Sequence, residues 1–483
     1  MSNSEKFNVF LKKGLVYTLF ALILLTTFFY SLKNLTVKPR FWVDEGVTIE
    51  LARNFTEYGV LDIQVAPGRF SGFGHMLQSS GYPLTTLLSG VFRIFGYSVA
   101  VERVVMLLVM LSALSAIFLF CRSLFGEDKA LLSVILVATF ASFHGSGRTA
   151  VGEIPGFIFL LTSLYLGILK DFNFLSGIFL GLAMVTKPSV FLLAGPAFLI
   201  SVLLDKNRNR VRKIVAGGTG ILPPILMWIF LAVGSPFSAN IWSDILNFYR
   251  NPYASADMQG NIIANLYGLL DSSTMLYLGV LYFLVILCRY FSYNPSIKSV
   301  CNFIIAYGVF AFAYYLRSPG WLRYLLIAEL MALLVLPESL DLIFSRLFRR
   351  INLNNQISRR VCMFIVCILA MAQTFQFLFF SNIYASDSII KAADFVNREF
   401  PGKSVGVLNS IGLASLIDSK DRYLHAYLTG LPPIGGDFIS SGIRPEILIF
   451  SQDGLVDGIV AEIPDSYEVF SSVDGYEIHR IRK

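Results

Sequence analysis

The chain has 483 residues, of which 55% are hydrophobic and only 15% charged. A soluble protein carries about 25% charged residues, so the apolar excess calls for the bilayer as solvent. The net charge of +7 would suit nucleic acid, but residues 381–483 hold nine Lys/Arg against fourteen Asp/Glu. The positive charge therefore sits in residues 1–380, in short loops between apolar blocks, which marks membrane topology and argues against a nucleic-acid surface.

Apolar blocks near 15–31, 102–121, 130–143, 154–169, 173–186, 189–204, 214–233, 275–288, 299–316, 322–337 and 361–380 predict eleven membrane spans. A span needs about 20 apolar residues, and some blocks are shorter. Lys170-Asp171-Phe172 alone separates two of them; it fits either a tight hairpin or one bent helix, and the hairpin is preferred. Counting alternately puts Lys6, Lys12, Lys13, Arg122, Lys129, Lys170, the run 205–213, Arg289, Lys298, Arg346, Arg349, Arg350, Arg359 and Arg360 on one side. The positive-inside rule makes that side the cytoplasm, with the amino terminus inside and the carboxyl terminus outside. The apolar run Leu15–Tyr30 is too long for a signal peptide, and no small-x-small cleavage site follows it. Cys121, Cys288, Cys301, Cys362 and Cys367 lie in or beside apolar blocks, without zinc spacing and without implying a disulfide framework.

Between the first two spans lies a long exterior stretch, about 32–100. After Asp44, the spacing of Val47, Leu51, Phe55 and Tyr58 predicts an amphipathic helix on the membrane surface, ended by Gly59. Pro83–Phe95 predicts a second interfacial helix. A short exterior loop carries His144 to Glu153, and a longer one, about 234–273, holds Asp244, Tyr249, Arg250 and Asp257. From about Asp387 the chain reads as a soluble α/β unit. Its predicted elements are a helix over 389–400, strands at 405–408 and 447–450, and a hairpin at 467–481 turning on Asp474-Gly475.

There is no Walker loop, no Asp-x-Asp and no dinucleotide fingerprint; Gly217-Gly218-Thr219-Gly220 opens an apolar block and suits close helix packing. The four histidines are scattered, which disfavours a zinc site. Asp44-Glu45 is the sharpest polar feature. Asp is a favoured helix cap and Glu suits a first turn, yet a carboxylate fixed there can also take a proton from a hydroxyl. Arg148 and Glu153 read either as a surface ion pair or as a phosphate clamp with its orienting acid. Lys187, Arg323 and Tyr324 stand at span ends on the exterior side, where snorkelling and function are both open readings. Glu329 is deeper and suits pairing inside the bundle. Asn34-Leu35-Thr36 and Asn54-Phe55-Thr56 are sequons.

Exterior carboxylates facing exterior cations are what transfer from a lipid phosphate requires: a base for the acceptor and positive charge for the leaving group. The chain resembles the GT-C superfamily of polytopic glycosyltransferases, in particular protein O-mannosyltransferases and lipid A aminoarabinose transferases. The resemblance rests on Trp42-Val43-Asp44-Glu45, Gly81-Tyr82-Pro83-Leu84, Arg103, Arg122-Ser123-Leu124-Phe125-Gly126, Arg148 to Glu153, Gly181 through Pro188, and Arg323-Tyr324. It implies a GT-C-like, α-helical polytopic membrane protein of about 11 transmembrane helices over 1–380, with a small C-terminal exterior α/β domain over 381–483. It also implies inverting transfer of a sugar from a polyprenyl-phosphate-linked donor to a glycan, lipid or protein acceptor, at the exterior face of the plasma or inner membrane. By carry-over, Asp44 and Glu45 are the catalytic acids, and Arg148, Glu153, Lys187, Arg323 and Tyr324 bind the donor. No cofactor is certain; some relatives use a divalent metal, for which Asp44, Glu45 and Glu153 are the available acids. The family often has two prolines where Tyr82-Pro83 stands, sometimes after a lysine; Ser80-Gly81 precede here, so no lysine contact from this loop carries over. The rival readings are a transporter of lipid-linked sugars, which predicts several charges deep in the spans, and a non-catalytic assembly protein of the cell envelope, which has no need of the acid and cation set.

Overall fold

The computed structural model describes residues 3–77, 80–205, 209–233, 239–250, 258–350, 355–381, 383–427, 433–436, 438–439, 441–451 and 465–482. Its helices in chain order are α1 (Asn3–Leu32), α2 (Val43–Tyr58), α3 (Tyr82–Phe95), α4 (Val99–Phe125), α5 (Glu127–Ala138), α6 (Ala141–Gly147), α7 (Glu153–Leu164), α8 (Asn173–Thr186), α9 (Pro188–Phe191), α10 (Ala194–Leu204), α11 (Arg210–Trp228), α12 (Ala239–Arg250), α13 (Met258–Tyr267), α14 (Ser273–Phe291), α15 (Pro295–Arg317), α16 (Leu326–Arg350), α17 (Asn355–Phe379), α18 (Ser388–Glu399) and α19 (Ile411–Leu416). Every one of the eleven apolar blocks falls on helix. Among the described residues, α1, α4, α11, α14, α15 and α17 are each long and apolar enough to cross a membrane. The block 130–143, read as one span, is instead α5 and α6, bent by 70°. Asp171 takes a positive φ of 58°, and α7 packs on α8, so the preferred hairpin is present. Close approach of α8 and α11 is glycine-dependent, as expected for 217–220: a Cβ on Gly177 would strike Gly217 O, and one on Gly220 would strike Phe174 O.

One end of the bundle gathers basic loops. Lys129 Nζ lies 2.5 Å from Glu338 Oε2 and from Asp341 Oδ2, and Arg122 donates to Tyr17 OH at 3.0 Å. The centre of the basic run, 206–208, and Asp257 of the 234–273 stretch lie outside the described residues.

The other end carries α2, α3 and a five-stranded sheet. Strands β1 (Gln64–Ala66) and β2 (Arg69–Phe70) form a small hairpin. The strands β3 (Val405–Leu408), β4 (Arg422–His425), β5 (Ile447–Ser451), β6 (Tyr467–Val473) and β7 (Tyr476–Ile481) run in the order β4-β3-β5-β7-β6. β3 is parallel to β4 and β5, and β7 is antiparallel to β5 and β6. Asp474 and Gly475 both take positive φ, 45° and 86°, as the expected tight hairpin requires. α2 ends at Gly59, whose φ is 71°.

α2 does not lie bare on the membrane surface. Residues 45–52 are buried on all sides, because the C-terminal unit covers the helix. Val47, Ile49 and Leu51 share one apolar core with Leu413, Ala414 and Ile449. A Cβ on Gly46 would lie 2.5 Å from Gly412 Cα, so α2 and α19 touch backbone to backbone. Arg422 donates to Glu50 Oε1, and both side chains are 1% exposed. α3, by contrast, leaves Ile94 and Phe95 bare, as an interfacial helix does.

Candidate functional site

The start of α2 sets the site. Trp42 is the capping residue, extended and without a side-chain cap bond, so Asp44 falls inside the first turn and is not the helix cap. Its Oδ2 accepts from Arg323 Nη1 at 2.7 Å. Arg323 belongs to the 3-10 turn Leu322–Leu325 before α16. Its guanidinium packs on three aromatic faces: Trp42 at 4.8 Å, Trp321 at 4.9 Å and Tyr324 at 5.6 Å. Tyr324 thus shapes the arginine and is itself buried. Burial pushes the Asp44 carboxyl up, but the charges of Arg323 and Lys187 outweigh it and hold Asp44 below the usual aspartate range. The pair keeps 22% and 25% of its side-chain surface exposed, so a ligand can reach it.

Lys187 occupies the break between α8 and α9, where Pro188 begins the next helix. Its Nζ lies 3.7 Å from Glu153 Oε1, with both side chains buried. Glu153 Oε2 has no partner. Three loops distant in sequence are stitched here. Gly81 N donates to Thr186 O at 2.8 Å, Gly152 N to Ser80 Oγ at 3.0 Å, and Ser80 Oγ to Ala150 O at 3.2 Å. A Cβ on Gly152 would lie 2.6 Å from Thr186 O, so only glycine lets the start of α7 approach Lys187. Ser80-Gly81, the departure from the double-proline pattern, is what makes these bonds.

Asp44, Arg323, Lys187 and Glu153 therefore form one group of two acids and two cations. Glu45 does not join it. Its carboxylate faces Arg103, accepting from Nε at 2.5 Å and from Nη2 at 2.7 Å. Burial pushes the Glu45 carboxyl up, with Arg103 opposing. This fork ties α2 to α4.

Arg148 is also apart. The expected pairing with Glu153 is absent, since Glu153 faces Lys187. Arg148 Nη2 donates to Lys33 O at 3.0 Å and to Asn34 O at 3.4 Å. Among the described residues it meets no carboxylate. Burial and the like charge of Arg103 pull it down to about 10. The stretch 144–153, expected as an aqueous loop, instead holds the end of α6, with His144, Arg148, Thr149 and Glu153 all buried. Asp44, Glu45 and Glu153 each face a different cation. Among the described residues, no three His, Cys, Asp or Glu side chains gather as metal ligands.

The sequence pointed to Asp44, Lys187, Arg323 and, of the aromatic walls, Tyr324, but gave no site role to Trp42 or Trp321. Trp42 stood beside Asp44 as the available signal. The Glu45–Arg103 fork joins residues 58 apart and the Glu50–Arg422 pair joins residues 372 apart; no local pattern announces either. The second sequon is closed by burial: Asn54 Nδ2 donates to Glu50 Oε1 at 3.0 Å and to Asp62 O at 2.7 Å.

A family model described as dolichyl-phosphate-mannose-protein mannosyltransferase matches residues 84–232. No curated protein matches the chain by sequence. ArnT from Cupriavidus metallidurans in the apo state is similar in structure, with a TM-score of 0.66 and 14% identity over 97% of this chain and 98% of that one. The same protein bound to undecaprenyl phosphate gives 0.64 at 12% identity, over 96% and 97%. The archaeal oligosaccharyltransferase AglB from Archaeoglobus fulgidus, in complex with an inhibitory peptide and a dolichol-phosphate, gives 0.55 at 12% identity, over 93% of this chain and 71% of that one. The chain thus shares its fold with ArnT and AglB, matches a mannosyltransferase family model over residues 84–232, and has, among the described residues, six helices long and apolar enough to cross a membrane.

Proposed function

We propose that the chain transfers a sugar from a polyprenyl-phosphate-linked donor to a glycan, lipid or protein acceptor. The reaction takes place at the exterior face of the membrane, the end that carries the C-terminal sheet. The observation that carries this reading is Asp44, kept ionised beside Arg323 and Lys187 at a partly open surface.

Asp44 takes the proton from the acceptor hydroxyl. The acceptor oxygen bonds to the anomeric carbon as the bond from that carbon to the phosphate oxygen breaks. The electron pair leaves on the phosphate, giving free polyprenyl phosphate. Direct attack with a carboxylate as base inverts the anomeric centre. Lys187 stands 3.7 Å from Glu153, outside hydrogen-bond reach, so its ammonium hydrogens are available to the developing phosphate charge. Arg323 shares its guanidinium between Asp44 and that phosphate. Glu153 balances Lys187 and aims it. The resemblance to structures bound to undecaprenyl phosphate and to dolichol-phosphate supports a polyprenyl-phosphate donor.

Purified protein in lipid discs is offered undecaprenyl- and dolichyl-phosphate mannose and glucose, and release of the free polyprenyl phosphate is followed. The wild-type chain releases it from at least one donor. Asp44→Asn loses about 10²–10⁴-fold, the usual weight of a general base. Normal turnover in that variant removes Asp44 from the chemistry.

A further inference from the structure

The C-terminal sheet turns one particular end towards Asp44. α19 and α2 run in the same direction: Gly412 meets Gly46, and further along both helices Ser415 O and Ile417 O accept from Arg53. α19 is the crossover between the parallel strands β3 and β4, so it starts at their carboxyl ends. Those ends therefore stand level with the first turn of α2. The amino end of β4 stands at the other end of the helix, where Arg422 meets Glu50. Through the contact of Gly412 with Gly46, at most about 20 Å of backbone separates Asn409, just beyond β3, from Asp44.

Three observations make this end of β3 and β4 a place for a ligand. First, the chain leaves the two strands on opposite faces of the sheet. After β3, Leu413 and Ala414 of α19 pack on the face of Val405 and Val407; after β4, Phe438 packs on the face of Leu408 and Phe450. Neighbouring strands whose connections diverge in this way open a crevice at their carboxyl ends, where open α/β sheets bind ligands. Second, Asn409 is held there at a left-handed φ of 52°. Its backbone N donates to His425 O at 2.7 Å, and its Oδ1 accepts from Tyr427 N at 3.2 Å. That bond fixes the amide orientation and leaves the Nδ2 hydrogens without an acceptor among the described residues. Third, His425 Nδ1 is buried without a partner. Its ring lies edge-on to Tyr427 at 5.0 Å, and Tyr427 is 47% exposed. Charge is placed elsewhere: Lys403 pairs with Glu446 beside the amino ends of the strands, next to Asp418 and Asp421. Residues 408–411 and 424–427 include no Lys, Arg, Asp or Glu.

We propose that the crevice at Asn409, His425 and Tyr427 holds the acceptor, and that the acceptor is a neutral saccharide. The inference rests on the sugar transfer proposed above and names the substrate class of that same site. A sugar ring lays its C–H face on the exposed Tyr427 ring and one hydroxyl under the Asn409 amide hydrogens. A second hydroxyl donates to His425 Nδ1, which supplies the hydrogen bond that this buried nitrogen lacks. A phosphate or carboxylate finds no cation there, and an acyl chain would strand the amide and the imidazole. A saccharide chain seated on the crevice runs along the first turn of α2 and brings its terminal hydroxyl to Asp44.

Mannotetraose, maltotetraose, cellotetraose and chitotetraose are offered to the purified full-length chain without any donor, beside a neutral Ser/Thr-rich peptide, and binding is measured by saturation-transfer NMR. At least one tetraose binds. Tyr427→Ala and Asn409→Gly, the latter keeping the left-handed backbone, each weaken it about five- to tenfold, the worth of one aromatic contact or one hydrogen bond. Phe470→Ala removes a partly exposed ring from β6, at the far edge of the sheet, and binds as wild type does. Binding of the peptide alone overturns the proposal, as does a failure of all four tetraoses or a saccharide affinity that survives both variants. Because no donor is present, the outcome is separate from that of the transfer assay. A chain that binds a tetraose but releases no polyprenyl phosphate keeps the subsite and loses the transfer; one that releases polyprenyl phosphate and binds no tetraose loses the subsite alone.

Discussion

Arg323 Nη1 lies 2.7 Å from Asp44 Oδ2, and the same guanidinium is walled by Trp42 and Trp321. The pair joins the first turn of α2 to the turn that opens α16, residues 279 apart in sequence. Aromatic packing holds the arginine where it both ionises Asp44 and faces the open side of the site.

The sign of the pH response follows. Burial raises the Asp44 carboxyl, and Arg323 with Lys187 more than reverse this. A depressed carboxylate contributes stability above its unfolded value, about 3.9, and loses it as pH falls through the folded value. Its capacity as a base persists over the same range. Arg323→Gln leaves burial less opposed, so the acid limb of the pH–rate profile moves upward by about one to three pH units. An unmoved limb in a folded, active variant assigns that limb to another group.

Lys187 and Glu153 are buried together. Lys187→Met leaves Glu153 facing less positive charge with its Oε2 still unpartnered, which costs about 3–5 kcal/mol. Adding Glu153→Gln removes the uncompensated charge and restores most of that stability. Transfer activity does not return, because the phosphate still lacks its cation. Denaturant titration measures the first effect and release of polyprenyl phosphate the second. A double variant with normal turnover makes the pair purely structural.

Hydropathy made the bundle legible, since each apolar block became helix. The 130–143 bend escaped because Thr139-Phe140 is no stronger a break signal than its surroundings. Asp44, Lys187 and Arg323 were legible because ionisable residues at span ends are conspicuous against apolar sequence. Alternating topology also put them on one face; which acid meets which cation was not legible. Arg148 and Glu153 are five residues apart, yet the turn at Gly152 sends them to different partners, Glu153 to Lys187 and Arg148 to the carbonyls of Lys33 and Asn34. β4 and α19 were missed because Arg422–His425 is short and polar at its start, and its inward arginine is satisfied only by Glu50 in α2.

Glycine placement separates packing from composition. A Cβ on Gly220 would strike Phe174 O, whereas one on Gly218 meets nothing within 4 Å. Gly220→Val forces α8 and α11 apart and lowers the melting temperature by several degrees, corresponding to about 1–3 kcal/mol of overpacking. Gly218→Val, two residues away on the open face, leaves melting nearly unchanged. Equal effects from the two substitutions contradict the contact.

The C-terminal unit is attached to the candidate site through α2 itself. Glu50 accepts from Arg422 and from Asn54, and Gln64 N also approaches it at 3.4 Å. Arg422 in turn donates to Ala414 O, while Arg53 and Tyr97 both donate to Ser415 O. The end of α19 is thus held by side chains from α2, from the loop before α4 and from β4. Arg422→Met strips Glu50 of its buried cation, a loss of about 3–5 kcal/mol, and it frees the α19 carbonyls that Arg422 covers. Under limited proteolysis the variant is cut first between α17 and β3, where the wild-type chain resists. Pairing it with Glu50→Gln removes the stranded charge and recovers much of the protection. Gly46→Ala should expose the same bonds with every charge retained, because a Cβ there would lie 2.5 Å from Gly412 Cα and push α19 off the helix. If Arg422→Met and Gly46→Ala both digest like wild type, the C-terminal unit is held by something other than this contact.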